Sequence, residues 1–153
     1  MELTPETAYA YTRHAFAQML DLTARLGDEK VNLRPHGPST NTVAGLVFHC
    51  CELTRAWWAH VGLGEPSDRD RESEFAHTAT VAELHEMVEE TLAAADGYLQ
   101  RMGAGESTPD SPYREFLPGG ETSDASLVLH VVEELFQHLG HMELTADALT
   151  ASS

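Results

Sequence analysis

Residues 80–102 read TVAELHEMVEETLAAADGYLQRM. Thr80 followed three residues later by Glu83 matches a capping box, the reciprocal bonding that opens a helix. Behind it Val81, Leu84, Val88, Leu92, Ala95, Leu99 and Met102 recur at three- and four-residue steps, one stripe of a 3.6-residue helix. Such a stripe must bury against something, and three other stretches offer matching faces. Residues 5–26 carry Ala8, Tyr11, Ala15, Met19, Leu22 and Leu26 on one side, with Thr4 placed to cap, Pro5 at the first helical position and Gly27 at the end. Residues from about Thr42 to Val61 carry Leu46, Cys50, Leu53, Trp57 and Val61 and are stopped by Gly62 and Gly64. Residues from about Asp124 to Leu149, capped by Ser123, carry Leu127, Val128, Val131, Val132, Leu135, Phe136 and Leu139. No segment alternates with period two, and no repeat or low-complexity tract interrupts the pattern. The predicted fold is all-α, a four-helix bundle formed as a single domain over residues 1–153.

The connections are unusually long. Residues 28–41, 62–79 and 103–123 hold most of the prolines and many glycines, and connections of that length are functional or disordered rather than simple turns. The charged stretch 62–79, with Phe75 as its one large apolar anchor, is expected to cross the outside of the fold. Residues 28–41 and 103–123 are the expected walls of any pocket.

Composition narrows the partners. With 25 Asp+Glu against 9 Lys+Arg the net charge is −16, which excludes phosphate backbones and anionic membranes as partners, since both need clustered Lys and Arg. No apolar run approaches the ~20 residues of a bilayer span, and the opening MELTPETAYAY lacks the basic and apolar regions of a signal peptide. A hydrophobic fraction of 42% with 22% charged residues is that of an ordinary globular chain. Cys50 and Cys51 are adjacent and poorly placed to bridge each other. Free thiols fit a reducing compartment, so the expected location is cytoplasmic.

The polar residues on the second and fourth helices carry the chemistry. Around the last helix, Glu134, His138 and His141 sit at one edge of the apolar half, with His130 slightly further out. Glu134 and His138 are four apart, so they project one turn from each other on one face, the spacing by which a helix offers two ligands to one metal. It is equally the spacing of a solvated Glu–His pair. On the second helix His49 lies at the edge of the apolar arc beside Leu53, where a hydrogen-bonded imidazole also fits. One His from helix two with a Glu and a His from helix four would form a two-histidine, one-carboxylate set. Such a set suits Zn²⁺, Ni²⁺ or Fe²⁺ rather than the oxygen-preferring Ca²⁺ or Mg²⁺.

The remaining features read as structure. His14, His36, His60, His77 and His85 have no partner at ligand spacing and are expected at the surface or rim. Cys50 belongs to the core, Trp57 and Trp58 supply packing area, and Gly140 in mid-helix implies close approach of another helix or loop. Arg13, Arg34, Arg55 and Arg114 are the cations considered for an anionic substrate, with Arg55 on helix two away from His49.

The stretches TVAGLVFHCCELTRAWWAHVGLGEP (42–66) and LVLHVVEELFQHLGHMELTADAL (127–149) together resemble the DinB-like superfamily. More narrowly they are similar to the metal-binding domain of mycothiol-dependent maleylpyruvate isomerase. Glu134-x-x-x-His138-x-Gly140-His141 looks like the E-x-x-x-H-x-G-H form of the family's last helix, and His49 falls where the family carries its helix-two ligand. The resemblance covers essentially the whole chain. It implies a bundle of unusual connectivity, often a homodimer, with zinc or another divalent metal ion on His49, Glu134 and His138. His141 is then an outer or alternative ligand. It also implies a low-molecular-weight thiol cosubstrate, mycothiol or a similar one, activated for S-transfer or isomerisation of a small electrophile. The isomerase has an additional C-terminal domain not seen in these 153 residues, so S-transfer is the expected activity. One competing reading is a non-catalytic helical bundle that binds a metal or small ligand as a dimeric binding or stress protein, whose stability would respond to metal without any turnover of thiol. Another is a metal-free interaction domain whose His/Glu cluster is hydrogen-bonded.

Overall fold

The computed structural model of the chain describes residues 1–151. Four long helices form where the periodicity places them: α1 Pro5–Lys30, α2 Val43–Arg55, α4 Val81–Gly103 and α5 Asp124–Ala151. Between α2 and α4 lies a single turn, α3, Arg71–Glu74. No strand occurs among the described residues, and the all-α bundle is the fold.

Every long helix begins on the residue whose side chain can cap it. Thr4 accepts from the Thr7 amide, Thr42 from Gly45, and Ser123 from Ser126, while Thr80 and Glu83 form both halves of the capping box. Gly27 adopts φ 78°, breaking α1 before a last turn to Lys30.

Packing explains the long connections. α1 packs on α4 and α5, and α2 packs on the same two helices, so the order around the bundle is α1–α4–α2–α5. The chain therefore crosses a diagonal between α1 and α2 and again between α4 and α5, which short turns cannot span. Phe16, Met19, Leu46, Trp58, Leu84, Leu127, Leu135 and Met142 fill the middle, fully buried. Arg114, only 2% exposed, ties the second crossing down by donating to the Thr122 carbonyl and to Asp124 at the start of α5.

Three expectations need correction. The α2 helix runs on into π-helical turns, Ala56–Gly62. Each such turn takes in an extra residue, so the buried face passes through Thr54, Trp58 and Gly62. Trp57 is consequently only half-buried rather than part of the core face. Gly140 has no close neighbour: a Cβ there would meet nothing within 4 Å. The stretch 62–79 does not simply cross the outside, because Glu74 is 1% exposed and reaches into the bundle.

Candidate metal centre

α2 and α5 are neighbours, and their polar edges meet. His49 on α2 is 4% exposed, and Glu134 and His138 on α5 are half-buried beside it. One donor atom from each of the three lies within 4.8 Å of the other two. The His49 and His138 rings stand nearly perpendicular with centroids 4.7 Å apart, and His138 Nε2 is 3.5 Å from Glu134 Oε2. His141, one turn on, is exposed and outside this group of three.

The structure adds a residue that spacing did not reveal. His49 Nδ1 is 2.6 Å from Glu74 Oε2, and the carboxylate assigns the proton to Nδ1, leaving the Nε2 lone pair free. Arg69 donates to the same carboxylate through Nε at 2.5 Å and Nη2 at 3.0 Å. Phe75 flanks the His49 ring at 4.7 Å. Residues 69–75 thus form a strap held from two sides: Arg34 of the 28–41 connection donates through Nη2 to the Phe75 carbonyl at 2.9 Å, and on α2 a Cβ at Gly45 would lie 3.2 Å from that same oxygen. Glu74 is one of five acids between residues 65 and 74. Nothing in the pattern of that run distinguishes it from a solvated neighbour.

Burial lowers the pKa of His49, against the opposing pull of Glu74. Burial likewise lowers that of His138, with the neighbouring His49 adding to the effect. Both imidazoles are therefore neutral near pH 7 and hold lone pairs ready for a cation. Burial would raise Glu74, but the Arg69 and His49 hydrogen bonds outweigh it and hold the carboxyl below its ordinary value. Burial pushes the Cys51 thiol up to about 12 and raises Cys50 as well. Neither cysteine is a thiolate, and both pack in the core.

A cavity of about 680 Å³ opens beside His49 and Glu134. Its walls include Leu53, Trp57, Tyr113, Phe116, Arg69 and Arg71. Residues from the α4–α5 crossing contribute as expected, whereas the 28–41 connection does not line it, and the 62–79 stretch does. A larger groove of about 1000 Å³ between α1 and α4 contains none of the three donors. His130 lines the smaller cavity, edge-on to Trp57 at 4.5 Å, with Nδ1 buried and without a hydrogen-bond partner among the described residues.

The four cations considered from sequence go elsewhere. Arg13 lines the α1–α4 groove, Arg34 holds backbone carbonyls at Thr40 and Phe75, and Arg55 pairs with Glu52 and Glu90. Arg114 is committed to Asp124. Arg69 and Arg71, both on the strap, are the ones that reach the cavity.

Two imidazoles and a carboxylate, with one imidazole oriented by a buried carboxylate behind it, form a donor set whose chemistry fits a divalent transition metal. Fold and site thus define a helical bundle with a two-histidine, one-carboxylate constellation at the edge of a cavity. The Mycothiol-S-transferase family model matches residues 7–150, spanning all four long helices, and the chain belongs to that family. It is a DinB-like family, in line with the motifs on α2 and α5. No curated protein and no solved structure matches the chain.

Proposed function

We propose that this protein is a divalent-metal-dependent transferase that joins the sulfur of mycothiol to a small electrophile, with zinc, nickel or iron held by His49, Glu134 and His138. The observation that carries the reading is the convergence of those three side chains from two helices within 4.8 Å, beside a cavity of small-molecule size. A divalent ion bound there would let a coordinating thiol ionise near neutral pH.

The chain's own residues do the rest. Glu74 keeps the proton on His49 Nδ1 and so aims Nε2 away from itself. His138 stays neutral through burial, and Glu134 offsets part of a cation's charge. Trp57, Tyr113 and Phe116 offer the electrophile an apolar wall. In the transfer a carbon–sulfur bond forms as the bond from that carbon to its leaving group breaks, and the thiol proton passes to solvent. The proposal takes residues 1–153 as one domain acting in the cytoplasm. With Leu129 and Leu144 exposed on α5, it takes the working form as a homodimer.

The deciding experiment compares untagged wild type with His138→Ala, purified without added metal. The reading predicts about one divalent ion per wild-type chain, and a variant that loses both the ion and mycothiol conjugation. A variant that conjugates mycothiol as fast as wild type would overturn it.

A further inference from the structure

The chain has only nine Lys and Arg residues, and four of them are paired with carboxylates. Near the site, Arg69 is cancelled by Glu74. Farther off, Arg55, Arg101 and Arg114 are paired with carboxylates. Arg71 differs: it lines the cavity, yet its side chain makes no ion pair or hydrogen bond to any described residue. Its sequence neighbours Asp70 and Glu72 are not among the cavity's lining residues. Arg13 and Arg25, also without an acid partner among the described residues, stand on α1 in other grooves.

The Arg71 side chain is exposed at the cavity's rim, but its backbone is fixed. It opens the turn that ends in Glu74, and Glu74 is hydrogen-bonded to His49, so the backbone of Arg71 is held at a set place relative to the donor set. The same cavity also has an aromatic wall, with Phe116 and Tyr113 among the large apolar side chains that are exposed among the described residues.

A charge count points the same way, and it rests on the metal-dependent reading above. An ion of charge two held with Glu134 leaves one net positive charge. Arg69 and Glu74 cancel, and Arg71 adds a second. A thiolate at the ion would neutralise one of these and leave one for the other reactant. We infer that the electrophile accepted by this protein is an organic acid, its carboxylate held by Arg71 and its apolar or aromatic body laid against Trp57, Tyr113 and Phe116. A guanidinium can meet a carboxylate with two parallel N–H···O bonds, which fixes orientation as well as adding affinity.

The test uses the metal-loaded protein, mycothiol, and a matched pair of acceptors, 4-(chloromethyl)benzoate and 4-(chloromethyl)benzamide. In both, the sulfur–carbon bond replaces the carbon–chlorine bond, chloride departs, and the thiol proton goes to buffer. The inference predicts that wild type prefers the acid by roughly ten- to a hundredfold in kcat/KM, the range for a hydrogen-bonded charge, chiefly through KM. Arg71→Ala should bring the acid-to-amide ratio close to one, and Arg71→Lys should restore part of it. A wild-type ratio near one, or a ratio that survives Arg71→Ala, overturns the inference while leaving the transferase reading intact. If neither acceptor is turned over, the transferase reading fails. Calorimetric titration of benzoate against benzamide then decides Arg71 separately: benzoate binding lost in Arg71→Ala supports the assignment, and equal binding in both proteins overturns it.

Discussion

At Glu74 a carboxylate with 1% exposure accepts hydrogen bonds from His49 and from two nitrogens of Arg69. Its charge is what both donors face, so the isosteric amide should fill the space and still lose the function. Glu74→Gln is expected to weaken zinc affinity by about 10- to 100-fold, the usual cost of losing the carboxylate behind a ligating imidazole. Competition against a chromophoric chelator measures it, and an affinity equal to wild type would mean that Glu74 is only a structural counter-ion for Arg69. Glu134 and His138 were legible because helical spacing alone puts them on one face. Glu74 was not, because its partner lies 25 residues away across a loop. Arg114 is hidden for a related reason: a cation in a loop gives no local sign that it is buried against Asp124.

Among the elements, α2 carries the strap as well as His49, and two glycines separate contact from mere helix geometry. A Cβ at Gly45 would come within 3.1 Å of Thr42 Oγ1 and 3.2 Å of the Phe75 carbonyl, so it pushes on both the cap and the strap. Gly45→Ala should destabilise by about 1–3 kcal/mol through overpacking, outweighing the ~1 kcal/mol that alanine ordinarily gains over glycine in a helix. Gly140 faces open space, so Gly140→Ala should stabilise by about 0.5–1 kcal/mol. Urea unfolding of the two variants reads both signs, and a stabilised Gly45→Ala would show that the strap is not seated where it is described. The same helix shows why local spacing misplaces the tryptophan pair Trp57–Trp58. Steps of 3.6 residues place Trp57 on the core face, whereas the π-helical turns place Trp58 there and release Trp57 to the cavity.

For the molecule as a whole, pH acts through two opposing effects. Acidification relieves self-repulsion in a chain of charge −16. It also protonates the unfolded histidines more readily than His49 and His138, whose folded pKa values lie below the ordinary 6.5. Where the unfolded state binds more protons, stability rises with pH. The contribution of these two imidazoles is therefore present above about pH 6.5 and is lost as pH falls below it. Glu74, also lowered, adds a loss in the same direction at more acidic pH. Metal-free wild type should accordingly lose stability relative to His138→Gln between pH 7 and pH 5. Paired urea titrations isolate that difference from the general charge effect, and a gain in the same interval would overturn it.

The amino-acid order alone determined the four helices, their caps and the two-helix origin of the donor set. Those features depend on neighbours within four residues, where periodicity and capping chemistry act directly. It also carried the family resemblance, because the α5 motif is itself a local spacing. Only the tertiary structure decided which helices touch, and hence that both long connections cross a diagonal. It alone placed Glu74 behind His49, Arg71 at the cavity and Trp57 on its wall. Each of those depends on where a loop without periodicity comes to rest against a distant helix, and that is settled by packing, burial and charge pairing rather than by local spacing.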